Sequence, residues 1–123
     1  MADRYITKSG IERSLAAGEA VEQWLGTGQE GGRTTIRWMR IDRHRTGRFS
    51  VSTFEVYDDG NENFIDIYEF SSTDPDADGN PTLFDDVEGA LAFAAKNLHA
   101  DIGRFVGAGL IQEEYADYRR ASV

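Results

Sequence analysis

The stretch TTIRWMRIDRHRTGRFSVSTFEVY, residues 34–57, carries the clearest structural signal in the sequence. Residues 34–42 and 48–57 within it are rich in β-branched and aromatic side chains, with runs in which apolar and polar residues alternate. A period of two is typical of strands, because successive side chains point to opposite faces of a sheet. The connection between the two runs contains Gly47, a residue type that turns favour. The stretch therefore predicts two antiparallel strands joined by a short loop.

A third strand is predicted at residues 63–71, NFIDIYEFS, which have a similar composition. The connection that precedes them contains Asp59-Gly60, a strong signal for a tight hairpin turn. More than one turn length fits the letters, so the register of the chain between residues 55 and 66 stays open. Together the predicted strands make a three-stranded antiparallel meander.

The alternation sorts the side chains of this meander onto two faces. One face contains Met39, Ile41, Phe54, Val56, Ile65 and Ile67. The other face is mostly aromatic and contains Ile36, Trp38, Phe49, Val51, Tyr57, Phe64, Tyr68 and Phe70. Both faces are substantially apolar, so both need a cover. We expect either helices on both sides, or helices on one side and a second copy of the chain on the other.

Helices are predicted before and after the meander. Residues 11–25 place apolar side chains on one helical face, with Ser9 as the N-cap and Gly26 just past the end. Residues 83–99 carry an unbroken apolar stripe at helical spacing, and residues 111–120 form a short terminal helix. The predicted fold is therefore α+β in the order α-β-β-β-α, with the meander packed against helices and an extra short C-terminal helix.

A glycine-rich segment separates the first predicted helix from the first predicted strand. Gly26, Gly28 and Gly31 match the spacing G-x-G-x-x-G. The nucleotide-binding form of this motif follows a strand and opens a helix, whereas here a helix precedes and a strand follows. The segment is therefore predicted to be a flexible connector.

The composition indicates one globular domain over residues 1–123, since the chain is too short for two independent cores. The sequence contains no cysteine, which excludes disulfides, thiolate metal ligands and a cysteine nucleophile. Neither an apolar leader nor an apolar run long enough to cross a bilayer is visible. We therefore expect a soluble, cytoplasmic protein without membrane contact.

Charge is unevenly distributed along the chain. The formal net charge is -9 at pH 7, which disfavours nucleic acid as a partner because phosphate contacts need basic residues. Six arginines lie between Arg33 and Arg48 against one acid, Asp42, whereas twelve acids and no base lie between Glu55 and Glu88. Such asymmetry can steer a partner, pair internally, or favour antiparallel self-association.

The segment DPDADGNPTLFDD, residues 74–86, is the nearest approach to a chemical motif. Calcium loops supply oxygen ligands from alternating positions around a glycine. Counted from the first aspartate, the ligand positions include Asp74, Asp76, Asp78, Asn80 and Asp85. Three features disagree with an EF-hand: Pro81 interrupts the loop, Asp85 is shorter than the expected glutamate, and a strand instead of a helix precedes the loop. The motif therefore predicts, in place of an EF-hand, a weak calcium site in a loop that joins a strand to a helix.

A structural role explains the same letters. Thr82 can act as the N-cap of the helix at 83–99, with Asp85 completing a capping box. Asp, Asn, Gly and Pro are also ordinary turn residues. On this interpretation the acidic segment is the turn that begins the main helix.

No pattern in the sequence predicts catalysis, because nothing places a nucleophile beside His44 or His99. We therefore expect a non-catalytic interaction module, a homodimer or a binder of another protein, that uses the surplus apolar sheet face. The residues predicted for that interface are Trp38, Arg40, Phe49, Tyr68 and Phe70. The alternatives are a weak calcium-binding domain at residues 74–85, with calcium as its one cofactor, and a domain that holds a small ligand in an apolar pocket.

Overall fold

The computed structural model describes residues 4–61, 63–74 and 81–121. Its helices within these ranges are α1 (Lys8–Ala16), α2 (Val87–Asn97) and α3 (Ile111–Ala121). Its strands are β1 (Val21–Glu30), β2 (Arg33–Arg43), β3 (Phe49–Tyr57), β4 (Thr82–Phe84) and β5 (Val106–Gly107). They form one antiparallel sheet in the order β4-β3-β2-β1-β5, in which β1, β2 and β3 make a meander. The predicted α+β class is confirmed.

The strand β1 occupies a segment that the sequence analysis predicted to be helix and connector. Thr7 is the N-cap of helix α1, because its hydroxyl accepts a hydrogen bond from Gly10 N at 3.1 Å. The predicted N-cap, Ser9, lies within the helix. The helix ends before Gly18, whose φ of 82° is a left-handed conformation unsuited to a continuing helix. From Val21 the chain is extended and pairs with β2. The prediction of a helix over 11–25 is therefore wrong in its second half, where a short apolar run fits either period.

The hairpin between β1 and β2 turns through Gly31 and Gly32. Glu30 pairs with Arg33, and the two glycines have φ values of 58° and 81°. Two successive left-handed residues define a type I′ turn, which matches the twist of the flanking strands and favours Gly-Gly. The last glycine of the G-x-G-x-x-G segment is thus a turn residue, and Gly26 lies where the pairing of β1 slips by one residue. The predicted flexible connector is wrong.

Residues 63–71, predicted to be the third strand, do not form one. Ile67–Glu69 make a single turn of 3-10 helix, and beyond it Ser72 forms an isolated bridge with Val56. Tyr57 N donates to Ser71 O at 2.8 Å, so the end of this segment lies along the edge of β3. The short strand β4 pairs with the other half of that edge. Residues 63–73, here called the flap segment, therefore fold over a sheet face instead of extending the meander.

Hydrophobic clusters cover both faces of the sheet, which confirms the prediction that both are apolar. The α1–α2 face holds Ile11, Leu15, Val21, Met39, Ile41, Val51, Ala90, Leu91, Ala94 and Phe105. The α3 face holds Ile36, Trp38, Val56, Ile67, Phe70, Val106, Ile111 and Tyr115. The pairs Trp38↔Phe54 and Ile41↔Val51 set the register of β2 and β3. The predicted grouping of Met39 and Ile41 with Phe54 was wrong, because the sequence does not contain the register of the hairpin.

The acidic segment enters α2 through a strand. Thr82, predicted to be the N-cap, lies in β4, and the helix begins later than the predicted residue 83. Asp86 is the N-cap, because its carboxylate accepts from Gly89 N at 2.7 Å. The predicted terminal helix is confirmed as α3, with Ile111 and Tyr115 buried against the sheet.

Among the helices in the described part of the chain, none combines the length and the apolar character needed to cross a bilayer.

Candidate functional site

A cavity of about 390 Å³, open to solvent on one side, lies on the α3 face between the sheet and the flap segment. Four of the five residues predicted for an interface line it together, namely Trp38, Arg40, Tyr68 and Phe70. The remaining wall residues are Phe54, Val56, Ile67 and Ser72. The strands β2 and β3 supply one side of the cavity, and the flap segment supplies the other.

The fifth predicted residue, Phe49, does not belong to this cavity. It packs with the cluster on the α1–α2 face and pairs with Phe84 of β4. Phe49 and the cavity residue Phe54 are an odd number of positions apart on one strand, so their side chains point to opposite faces. Placing Phe49 beside Trp38 was therefore an error of strand register.

Aromatic rings form the apolar part of the wall. Trp38 stacks on Phe54, its cross-strand partner, with ring centroids 4.3 Å apart and planes at 20°. Tyr68 meets the same indole edge-on at 5.4 Å. Rings held in these two geometries attract one another beyond simple burial. The indole is 3% exposed, so this part of the wall is fixed by its neighbours.

A buried carboxylate, Glu22, holds the polar edge of the cavity in place. Its Oε2 accepts from Arg40 Nε at 2.9 Å and from Arg40 Nη2 at 2.6 Å. Its Oε1 accepts from Tyr68 Oη at 2.6 Å and from Gly109 N at 3.1 Å. Glu22 is 0% exposed, and these donors face the four lone-pair sites of a carboxylate, although Gly109 N shares its hydrogen with Tyr68 Oη at 2.9 Å. One side chain of β1 thereby ties together β2, the flap segment and the turn before α3.

Glu22 was missed because its segment was predicted to be helical. The signal that could have found it is the Gly31-Gly32 turn, since counting outward from a type I′ hairpin pairs the strands residue by residue. Counting in this way would still misplace the partner of Glu22 by one residue, because the register shifts near Gly26 and this shift brings Glu22 opposite Arg40. A bulge of this kind has no reliable sequence signature.

The guanidinium of Arg40 is held as one half of an ion pair. Burial acts to lower its pKa, but the hydrogen bonds and the charge of Glu22 outweigh burial and raise it. Its carbon atom Cζ lies 5.8 Å from the Trp38 ring centroid and 5.7 Å from that of Tyr68. Asp42 lies close by, where burial and the charge of Glu22 raise its pKa against the opposing effect of Arg40. The cluster therefore presents fixed N–H groups with their charge already balanced.

The indole N–H of Trp38 is a polar group without an assigned role. Its nitrogen is buried, and within the described ranges no acceptor lies in hydrogen-bonding distance. A buried donor left unpaired costs about 1–3 kcal/mol, so native proteins pair nearly all of them. The nitrogen has almost no accessible surface, so it is other atoms of Trp38 that line the cavity.

We predict that Tyr68 makes the protein sensitive to alkaline pH. Burial, followed by the hydrogen bond to Glu22 and its charge, raises the pKa of Tyr68 from 10.0 to about 12. Because the folded pKa lies above the unfolded pKa, the stabilisation is complete below pH 10.0 and is lost as pH rises towards about 12. The free energy of unfolding should therefore fall over this interval, and Tyr68→Phe should make the fall shallower.

Urea denaturation of both proteins at closely spaced alkaline pH values measures this slope. Some decline should persist in the variant, because the pKa values of Tyr5 and Tyr115 are also raised, mainly by burial. An identical slope in wild type and Tyr68→Phe would contradict the assignment of the hydroxyl to Glu22.

Most of the predicted calcium ligands lie outside the residues that the structure describes. Asp76, Asp78 and Asn80 are not among the described residues. Asp74 is exposed, and Asp85 forms an ion pair with Arg48 at 3.1 Å. Within residues 4–61, 63–74 and 81–121, no three His, Asp or Glu side chains gather as metal ligands. Calcium binding at 74–85 stays a prediction.

The arginine-rich segment at residues 33–48 and the acidic segment at residues 55–88 form some ion pairs with each other. Arg33 contacts Asp59 at 3.0 Å, and Arg48 contacts Asp85. These are exposed pairs of the kind that adds little stability. Internal pairing thus accounts for part of the charge asymmetry that the sequence shows.

The cavity and the buried Glu22 with its donors make up the candidate site. Comparisons with protein-family models, with curated proteins and with solved structures find no match to this chain.

Proposed function

We propose that the protein is a non-catalytic binding domain that holds a small, largely apolar molecule in the cavity on the α3 face. The observation that carries the proposal is the cavity of about 390 Å³ with aromatic and aliphatic walls and a few polar groups at one edge. Small-molecule sites span roughly 300–1,000 Å³ and share this mixture.

The walls of the cavity are fixed before any ligand arrives, which supports a binding role. Arg40 and Tyr68 are both bonded to the buried Glu22, and Trp38 is stacked on Phe54. A preformed site loses little conformational entropy when it is filled. The same bonds argue against chemistry at Glu22, because a carboxylate that already accepts four hydrogen bonds has no lone pair left for a general base.

The homodimer predicted from the sequence loses its main motive. It rested on a bare apolar sheet face around Trp38, and that face is covered by α3 and the flap segment. We therefore place the binding role in the cavity between these layers and the sheet.

The proposal is tested with Nile red, a neutral dye whose fluorescence rises in apolar cavities. We expect wild-type protein to bind the dye saturably with one site per chain. Ser72→Phe should abolish this signal, because Ser72 lines the cavity and a phenyl ring there fills it. Ser71→Phe is the matched control, since Ser71 is exposed and adjacent residues of an extended segment point to opposite sides.

Circular dichroism of both variants establishes that they are folded. Equal dye binding by folded Ser72→Phe and Ser71→Phe would refute the proposed site. If wild-type protein does not bind Nile red saturably, the proposed function is refuted.

A further inference from the structure

A second cavity, of about 260 Å³ and open to solvent on one side, lies where the N-terminal segment, β1 and α3 meet. None of its wall residues belongs to the cavity beneath the flap segment. They are Tyr5, Trp24, Arg104, Glu114, Asp117 and Tyr118. A cavity of about 150 Å³ in another protein holds benzene, so this one has room for a single substituted ring.

Glu114 is the most buried polar residue of this second cavity. It is 7% exposed, and its Oε2 accepts from Arg4 Nη1 at 2.5 Å and from Tyr5 Oη at 2.8 Å. Its other oxygen, Oε1, accepts no hydrogen bond from the described part of the chain, and Arg104 Nη2 lies 3.7 Å away, too far for one. Each carboxylate oxygen has two lone-pair sites, so both sites on Oε1 are open.

The open oxygen of Glu114 can be reached from the cavity. Among the described residues, Trp38 Nε1 is the only polar side-chain atom that is both fully buried and without a hydrogen-bond partner. Glu114 Oε1 also lacks such a partner, so it keeps some accessible surface. Because Glu114 is otherwise buried and lines the cavity, that surface faces the cavity. A nearly buried carboxylate with an unused acceptor favours a ligand that brings a hydrogen-bond donor.

The charges around the second cavity favour a neutral donor over an ion. The carboxylates of Glu114 and Asp117 both pair with Arg4, at 2.5 and 2.7 Å. Arg120 also pairs with Asp117, and Arg104 lies near Glu114, so three guanidiniums surround two carboxylates. A ligand cation would meet an excess of positive charge, whereas a ligand anion would lie against the open oxygen of Glu114. A neutral hydroxyl group avoids both repulsions.

The walls of the second cavity favour an aromatic ring. Trp24 and Tyr118 pack with ring centroids 5.3 Å apart and planes at 38°, and Tyr5 adds a third ring. Aromatic rings attract one another in stacked and edge-to-face geometries. The hydrogen bond from Tyr5 to Glu114 shows that the hydroxyl of a phenol ring suits this carboxylate.

We propose that the second cavity binds a neutral aromatic molecule of the phenol class, which donates its hydroxyl hydrogen to Glu114 Oε1 and packs its ring against Trp24 and Tyr118. The observation that carries this proposal is the open, reachable oxygen of a nearly buried carboxylate beside aromatic walls. The site is independent of the proposed function, because the two cavities share no wall residue.

Phenol and toluene, which have nearly the same shape, test the site in proton–nitrogen correlation spectra at neutral pH. One tryptophan lines each cavity, so the indole signal of Trp24 reports on this site and that of Trp38 on the other. We expect phenol to shift the Trp24 signal saturably, with a smaller response of Trp38. Phenol should bind about tenfold more tightly than toluene, as for one hydrogen bond to a charged group. Toluene binding as tight as that of phenol, or a Trp24 signal that does not respond, would overturn the proposal.

Glu114→Gln tests the acceptor. Arg4 and Tyr5 would hold the amide oxygen in the place of Oε2, so the NH₂ group would replace Oε1 and present a donor to the cavity. The affinity for phenol should fall about tenfold, while the affinity for toluene stays within about twofold. Glu113→Gln is the matched control and should bind phenol like wild type, since Glu113 is the exposed neighbour on the same helix. An equal loss for phenol and toluene contradicts the role of Oε1.

The remaining outcomes also decide the proposal. If Glu114→Gln does not fold, the order of the phenol and toluene affinities in wild type decides it. If benzylammonium shifts the Trp24 signal at lower concentration than phenol, the site takes a cation and the proposed ligand class is wrong. Nile red has neither an N–H nor an O–H donor, so its binding beneath the flap segment tests the proposed function separately.

Discussion

Replacing Glu22 with glutamine is expected to lower the free energy of unfolding by about 2–3 kcal/mol. The substitution keeps the shape of the side chain but removes the charge that balances Arg40, and it points an NH₂ group at a set of donors. Breaking a buried ion pair typically costs about 3–5 kcal/mol, and we expect less here because the Arg40 side chain is 31% exposed and can reach water. Urea denaturation at neutral pH measures the change.

Glu30→Gln is the matched control for this substitution. Glu30 lies on the same strand and is exposed, so its change should stay within about 0.5 kcal/mol. Arg40→Gln and the double variant complete a thermodynamic cycle. The sum of the stability losses of the two single variants should exceed the stability loss of the double variant by at least about 1 kcal/mol. A loss in Glu22→Gln no greater than in Glu30→Gln would show that the buried carboxylate does not organise this edge.

The Glu22 variant also connects stability with binding. Arg40 and Tyr68 are cavity walls positioned by Glu22, so the folded variant should bind Nile red more weakly than wild type. The Glu30 variant should bind the dye unchanged.

Replacing Gly60 with alanine should be at least as damaging, with a loss of about 3 kcal/mol. A Cβ at this position would lie under 3.0 Å from Phe64 O, Phe70 Cζ and Tyr115 Oη. The first of these atoms belongs to the backbone, and the buried Tyr115 hydroxyl is fixed by donating to Asp58 at 2.5 Å. The flap segment would therefore have to move off the sheet to accept a single methyl group.

Gly107→Ala is the control for Gly60→Ala. A Cβ at Gly107 meets no atom within 4 Å, and its φ is not left-handed. Thermal unfolding of both variants should show a large loss for Gly60→Ala and a change within about 0.5 kcal/mol for Gly107→Ala. Similar melting temperatures for the two would mean that the flap segment does not pack closely beneath Tyr115.

The role of Gly60 illustrates what the sequence could and could not predict. Asp59-Gly60 was read as a hairpin signal, for which glycine would be needed because of a left-handed φ. Gly60 is not among the described glycines with positive φ, and what requires it is the close approach of Phe70 and Tyr115. Those contacts join residues far apart in the chain, so a local motif cannot contain them.

The class of the fold followed from local patterns, because the periods of β2, β3 and α3 are strong over their whole lengths. Strand β1 was not predicted from the sequence, because the apolar residues of VEQWL fit one face of a short helix as well as a strand. The type I′ turn at Gly31-Gly32 was the local signal that could have corrected it.

The candidate site was predictable in part. Four of the residues predicted for the interface line one cavity, namely Trp38, Arg40, Tyr68 and Phe70. Each belongs either to the aromatic face of the predicted sheet or to the arginines of residues 33–48. The cover of the cavity was not predictable, because residues 63–71 have strand-like letters and are instead held over the sheet by tertiary contacts of Ile67 and Phe70.

The most direct test of the binding claim is a proton–nitrogen correlation spectrum recorded while Nile red is added. The chain has two tryptophans, so two indole N–H signals are expected. We predict a saturable change in the position of the Trp38 signal because its ring lines the cavity, with the Trp24 signal nearly unchanged because its ring packs against Tyr118 outside the cavity. Equal movement of both signals, or no movement of the Trp38 signal at concentrations at which the Nile red fluorescence saturates, would contradict a ligand held in this cavity.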